Sequence, residues 1–305
     1  MDLSIVHETL FSYTPPVKTA QHMAYLRPLD TQTQTLVSHA LRVQPQPVDL
    51  SETRDVFGNT RSFFSLRAEH DALAVIATSV VSTCAAAATQ SVMPWEQVRD
   101  RFTYGAGATY DAAAGFLFSS PLAPRHEDFA AYARPSFGAG VPLLAAARDL
   151  MTRIHNELRY ETASTDVNTP AQHALAQRAG VCQDFAHIMI ACLRAKGLPA
   201  RYVSGYLLTQ PPPGQARLVG SDASHAWASL YLPDLPHGPG WCDFDPTNDR
   251  FGMGTPGEDY VTLAIGRDYG DVAPLRGVIH GGASHTLEVR VTVEPIELKL
   301  LEDPS

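Results

Sequence analysis

AGVCQDFAHIMIACLRAKGLPARYVSGY, residues Ala179 to Tyr206, encodes a helix, a stop and a strand in immediate succession. Phe185, Ile188, Met189 and Cys192 recur at helical spacing with Leu193 beside them, and Gly197-Leu198-Pro199 ends the run. Cys182 stands at the N-terminal end of this helix, just after Gly180 and one turn before Phe185, so it looks inward along the packed face. A thiol in that place feels the positive end of the helix dipole, which favours thiolate. The unpaired N–H groups of the first turn can also receive an oxyanion. Both effects suit a nucleophile. A cysteine alone on a helix is more often a small buried hydrophobe, and Cys84, Cys192 and Cys242 take that reading because each lies in a run that looks packed. Cys182 differs only if a base stands near it.

The base candidate lies downstream. In SHAWASLYL (224–232), Ala226, Ala228, Leu230 and Leu232 share one face of a strand, and His225, Trp227, Ser229 and Tyr231 share the other. After the linker PDLPHGP comes GWCDFDPTND, where Trp241, Asp243 and Asp245 alternate with Cys242 and Phe244. An antiparallel hairpin with a near-symmetric loop places His225 opposite or diagonal to Asp245 on one face. Asp243 falls nearer Trp227. A carboxylate on one imidazole nitrogen fixes the tautomer and leaves the other nitrogen for the thiol proton. Viewed singly, His225 reads as a surface or core histidine and Asp245 as a turn-former before Pro246. Cys182, His225 and Asp245 together read as a catalytic set.

Around this centre the chain changes texture. Residues 1–90 read as an N-terminal antiparallel β domain, with LSIVHETLFSYT, TLVSHALRVQ, TRSFFSLRAE and ALAVIATSVVST as its strands. Thr14-Pro15-Pro16 and Gln44-Pro45-Gln46-Pro47 punctuate those runs, and Gly58-Asn59 reads as a tight hairpin turn. Residues 91–140 read as an irregular connecting region with one short helix in MPWEQVRDRF. Residues 141–265 form an α/β core. It opens with an amphipathic helix carrying Leu143, Leu144, Ala147, Leu150, Met151, Ile154 and Leu158 on one stripe. Thr169-Pro170 reads as the cap and first-turn proline of a short helix. Residues 266–305 form a tail whose Leu287, Val289, Val291 and Val293 alternate as one long strand. The fold class is α+β.

Composition narrows the partners. With 45% hydrophobic and 18% charged residues over a length of 305, the chain is globular and not disordered. A net charge of −9 argues against a nucleic-acid partner. No apolar run reaches the roughly 20 residues of a membrane span, so no membrane partner is expected. MDLSIVHETLFSYTPP lacks the pattern of a signal peptide, and four Cys are too few for a disulfide scaffold in a chain of this length. Cytoplasmic residence is the expectation. CxxC and HExxH spacings do not occur, and Gly105-Ala106-Gly107 lacks the strand–turn–helix setting of a nucleotide loop. No metal and no cofactor are expected. The partner expected is a peptide, protein or small amide substrate; nothing bears on oligomeric state.

GVCQDFAH, LPARYVSGYL, SHAWASLYLP and GWCDFDPTN resemble the core of the bacterial transglutaminase-like superfamily, a papain-like group of cysteine enzymes. The strand-rich start resembles the N-terminal region that accompanies this core, and AIGRDYGDVAPLRGV (264–278) is similar to a stretch near the end of such proteins. The resemblance implies a papain-like core with Cys182 as nucleophile, His225 as base and Asp245 as orienting acid. Asp243 departs from it, standing where an uncharged residue is usual. In animal transglutaminases an aromatic upstream of the cysteine helps hold the oxyanion; Tyr160 stands in that place here, although a core aromatic ending the preceding helix is the plainer reading. Gln183 and Asp184 read as helix-start residues that serve first-turn N–H groups, and His187 points to another face. The family implies thiol-dependent acyl transfer on carboxamide or peptide bonds. Analogy favours hydrolysis, by a cysteine peptidase or amidase. Protein-glutamine transglutaminase, a dedicated modifier of one substrate, and a non-catalytic binding or scaffolding protein on the same fold remain as alternatives.

Overall fold

The computed structural model describes residues 1–85, 90–103, 105, 110–162, 165–209, 224–282 and 284–297; Ala106 and Gly107 of the glycine pair lie outside them. The first 85 residues form five antiparallel strands: β1 (Asp2–Ala24), β2 (Gln34–Gln44), β3 (Asp49–Arg54), β4 (Thr60–Leu66) and β5 (His70–Thr83), ordered β2-β5-β1-β4-β3. In β1 alternate side chains Leu3, Ile5, His7 and Thr9 are buried, which fixes its register because a one-residue slip would expose them all. Pro15 and Pro16 do not end β1 as expected. The strand runs through them, and what breaks is the pairing, which jumps from Ser12–Ala72 to Val17–His70. Prolines have no N–H to give to a ladder, so the neighbours change there and the strand does not. Gly58 takes the positive φ of 89° in the β3–β4 turn, and the Asp55 carboxylate accepts from the N–H groups of Phe57 and Asn59 beside it.

The middle of the chain is helical. α1 (Trp95–Arg101), a 3-10 turn at Ala112–Leu117 and α2 (Glu127–Ala133) precede the long α3 (Leu143–Glu157). The seven-residue apolar stripe of α3 is buried throughout. A two-residue strand β6 (Arg159–Tyr160), α4 (Ala171–Gln177), β7 (Ala179–Gly180) and α5 (Cys182–Ala195) follow. Pro170 itself occupies the cap position of α4, and the Thr169 hydroxyl turns back to Asp166. α5 packs against α2, α3 and α4 as well as the sheet behind it, so Gln183 to Arg194 are all buried and no face of the helix is left to solvent.

A second antiparallel sheet has the order β11-β10-β9-β8-β12, from β8 (Ala200–Leu207), β9 (Ser224–Leu232), β10 (Gly240–Asp245), β11 (Arg250–Met253) and β12 (Tyr260–Gly266). Ala226, Ala228, Leu230 and Leu232 join the helical core, while Trp227 packs with Val203 and Tyr260. After α6 (Tyr269–Val272), β13 (Leu275–Gly281) and β14 (Ser284–Pro295) return to the first sheet, and both pair with β1. The result is an antiparallel strand assembly joined to a mixed α/β core. Among the described residues no helix is long and apolar enough to cross a membrane.

Candidate active site

The backbone before Cys182 is held on two sides. β7 pairs in parallel with β6, matching Tyr160 with Gly180. Val181 caps α5 with an extended φ of −113° and has no polar side chain to offer. Asp184 compensates: its Oδ2 accepts from the Val181 N–H at 2.8 Å and from the Thr165 hydroxyl at 2.6 Å. A Cβ on Gly180 would lie 2.7 Å from Asp184, so the glycine leaves room for that return. Cys182 is thereby fixed as the first residue of α5, partly exposed, at the end where backbone N–H groups are free of helical partners.

His225 and Asp245 meet it from the sheet. The β9–β10 pairs Gly240–Leu232 to Phe244–Ala228 set a register that puts Asp245 one diagonal step from His225. The His225 Nε2 and Asp245 Oδ2 atoms are 2.7 Å apart, with Asp245 fully buried. Nε2 is thus committed to the carboxylate, and Cys182 is close enough to the imidazole to act on its charge. Burial alone would depress the histidine, but its bond to Asp245 and the charges of Asp245 and Cys182 outweigh that and push it up to about 10. Burial raises Asp245, yet the His225 bond and charge prevail and hold its carboxyl below the ordinary range. The two directions agree on an imidazolium–carboxylate pair.

Two residues that the sequence left unmarked complete the clamp on Asp245. The Tyr260 hydroxyl donates to Oδ2 at 2.7 Å, and the Asn248 amide donates to the same atom at 2.7 Å. The Thr247 N–H donates to Oδ1 at 2.9 Å. Asp243 lies on the same face but further along the strand, opposite Ser229: its Oδ2 accepts from Trp227 Nε1 at 2.8 Å, and burial pushes its carboxyl upward against the pull of Arg201.

Of the remaining expectations, those for Tyr160, Gln183 and Cys84 need correction. Tyr160 is no core aromatic; it is 53% exposed, lies edge-on to Phe185, and burial with the charges of Cys182 and Asp245 raises its phenol. Gln183 does not serve the helix start: its amide donates to the Val167 carbonyl at 3.0 Å. His187 stacks on Tyr202, and its Nε2 accepts from the Tyr269 N–H. Cys192 and Cys242 are buried, but Cys84 is exposed because it follows the last residue of β5. No cluster of three His, Cys, Asp or Glu among the described residues is arranged to hold a metal ion. Cys182 and His225 open together onto a cavity of about 330 Å³.

Comparison with known proteins agrees with this architecture. The model of the Transglutaminase-like superfamily matches residues 130–246, and that of the Bacterial transglutaminase-like N-terminal region matches residues 3–82. An uncharacterized protein of Mycobacterium tuberculosis is 38% identical over 301 residues, spanning 96% of this chain and 92% of the other. A protein-glutamine gamma-glutamyltransferase of Pseudomonas aeruginosa is 39% identical over 71 residues, 23% of this chain and 10% of that one. A solved structure from Cytophaga hutchinsonii, provisionally designated a cysteine protease, superimposes with a TM-score of 0.73 at 21% identity, covering 98% of this chain and 92% of its own; that likeness is one of fold. The chain belongs to the transglutaminase-like superfamily, with the bacterial transglutaminase-like N-terminal region preceding its core.

Proposed function

We propose that the protein is a thiol-dependent acyl-transfer enzyme using Cys182 as nucleophile, His225 as general base and then acid, and Asp245 as the group that orients His225. The observation that carries this reading is the 2.7 Å His225–Asp245 bond beside a cysteine at a helix N-terminus, opening on one cavity. The Cys182 sulfur attacks the carbonyl carbon of an amide after its proton passes to His225. The tetrahedral oxyanion is received by the first-turn N–H groups of α5. On collapse the C–N bond breaks, His225 returns the proton to the leaving amine, and a thioester remains on Cys182. Water then attacks the thioester, giving the acid and restoring the thiol. An amine in place of water gives transfer, the activity for which the Pseudomonas aeruginosa relative is named. We favour hydrolysis of a peptide, protein or small amide substrate. Intact Cys182, His225 and Asp245 weigh against a scaffold that has lost its chemistry.

The test is alkylation of Cys182 by iodoacetamide across pH, read by peptide mass spectrometry in wild type and His225→Ala. Labelling well below the free-thiol pKa of about 8.5, slowed by the substitution, is expected. Ordinary thiol behaviour that ignores His225 would overturn the proposal and bring the binding-module reading forward. Where labelling is as expected, an amide panel with and without an added amine separates hydrolysis from transfer.

A further inference from the structure

The cavity before Cys182 has two walls of different origin. The core provides one, through residues such as Val167, Tyr202 and Tyr269. The other comes from the first sheet: β1 presents Thr9 and Phe11, and β14 presents Val289 and Leu287. Register makes these four one surface, because Thr9 pairs with Val289 and Phe11 with Leu287 on adjacent strands. Further along the same row Val291 and Val293 are buried, but Leu287 and Val289 are 55% and 47% exposed. The apolar row of β14 thus emerges from the core where it reaches the nucleophile.

Outside the reacting groups Cys182 and His225, the described lining of the cavity is also uncharged. Among the described residues lining it there is no lysine, arginine, aspartate or glutamate. Apart from His225, the titratable nitrogen heterocycle at its edge is His7, whose ring nitrogens lie 3.0 Å from the Tyr206 hydroxyl and 3.1 Å from the Thr9 hydroxyl. Burial pushes this histidine down to about 4, so it is neutral at pH 7. A charged group seated against this wall would give up part of its water and meet no counter-ion outside the His225–Asp245 pair, which is a penalty. A volume of about 330 Å³ lies near the lower bound of small-molecule sites, which suits one side chain or short acyl chain beside the reacting amide.

We infer that β1 and β14 form the selectivity wall of the site and seat an uncharged, apolar side chain or acyl chain attached to the carbonyl that Cys182 attacks. The inference rests on the acyl-transfer reading and extends it to substrate class. The core supplies the reacting groups, while the N-terminal sheet and the returning tail strand choose what reaches them.

Two measurements on the full chain test it. In the first, Cys182 is labelled with methyl and with hexyl methanethiosulfonate, whose alkyl chain hangs from the atom that Cys182 attacks. The hexyl reagent is expected to react roughly tenfold faster, and the ratio of the two rates to fall towards one in the double variant Leu287→Asp/Val289→Asp. In the second, N-acetyl p-nitroanilides of Leu, Phe, Lys and Glu are compared. The apolar pair is expected to exceed the charged pair in kcat/KM by roughly 100-fold, and the double variant to lose roughly 10–100-fold on the Leu amide. Both positions are half-exposed, so circular dichroism should be unchanged; Leu287→Ser/Val289→Ser is the milder pair, expected to move the same way. Turnover with equal rates for apolar and charged amides would overturn the selectivity wall and leave acyl transfer standing. A hexyl preference without turnover of any amide would support the wall and count against acyl transfer. Equal labelling by both reagents would overturn the wall irrespective of turnover.

Discussion

His225 and Asp245 hold opposite charges in a place from which water is nearly excluded, so the pair should write its signature on stability against pH. The folded pKa of His225 is raised, so its contribution is complete below the unfolded value near 6.5 and fades as pH climbs towards about 10. The folded pKa of Asp245 is lowered, so its contribution is complete above the ordinary carboxylate range near 4 and fades as pH falls through the folded value. The pair therefore stabilises most between roughly pH 4 and 6.5. Asp245→Asn keeps the shape and removes the charge. Urea unfolding at pH 5.5, 8 and 10 is expected to show a deficit of about 3 kcal/mol at pH 5.5, shrinking as pH rises; a deficit that grows with pH would refute the ion pair. Cys182, His225 and Asp245 could be picked out from sequence because each depends on local rules, a helix start and the register of one hairpin. Tyr260 could not, since it arrives on β12, which pairs with β8 on the far side of β9. Asn248 was within reach: an Asn three residues after an Asp in a turn can fold its amide back on the carboxylate.

Among the elements, β8 and β9 carry the tightest constraint, and it centres on a residue with no side chain. Gly205 is the ladder partner of His225. A Cβ there would collide with the Val261 carbonyl of β12 and with the Trp227 ring of β9. Neither can swing aside, because one is sheet backbone and the other is a fully buried indole held by Asp243. Gly205→Ala is therefore expected to cost about 1–3 kcal/mol through overpacking and to slow Cys182 alkylation at pH 6 by shifting His225. Gly115→Ala is the control: a Cβ there meets nothing within 4 Å, so its urea midpoint should match wild type, and equal midpoints for the two variants would refute the steric argument. The strands around Gly205 were legible through their alternation, as α3 was through its stripe. β3 was not, since all six of its side chains are exposed and it carries no apolar period. α5 was legible as a helix but not as one buried on every face. Its polar residues hide that burial by finding partners, as when Arg194 donates to the carbonyls of Phe116, Ala200 and Arg267.

Across the whole molecule the change of texture after residue 90 suggests two separable halves, yet they share a core: Leu3 and Ile5 of β1 pack in one cluster with Tyr206, Val261 and Leu263. The seam lies along β12, the edge strand of the second sheet, whose outer backbone groups would otherwise lack a neighbour. Two side-chain amides from the first sheet take that neighbour's place. Gln34 accepts from the Thr262 N–H at 2.8 Å and donates to the Thr262 carbonyl at 2.9 Å, and Asn59 does the same for Ile265 at 2.8 and 2.7 Å. Hydrophobic periodicity cannot reveal this seam, because a lone Gln or Asn looks the same in a sequence whether it is solvated or replaces a strand. Gln34→Ala leaves the buried Thr262 N–H on β12 unpaired and its carbonyl with the Leu29 N–H alone, which should cost about 2 kcal/mol. If the seam joins both sheets into one cooperative unit, that loss is felt on both sides of it. Amide hydrogen exchange in Gln34→Ala should then show protection falling by the same amount at Ile5 and Val6 in β1 as at Ala228 and Leu230 in β9. A fall confined to β1 would mean that the sheet opens independently of the core, and the wall that β1 and β14 set before Cys182 could then part from the nucleophile without unfolding it.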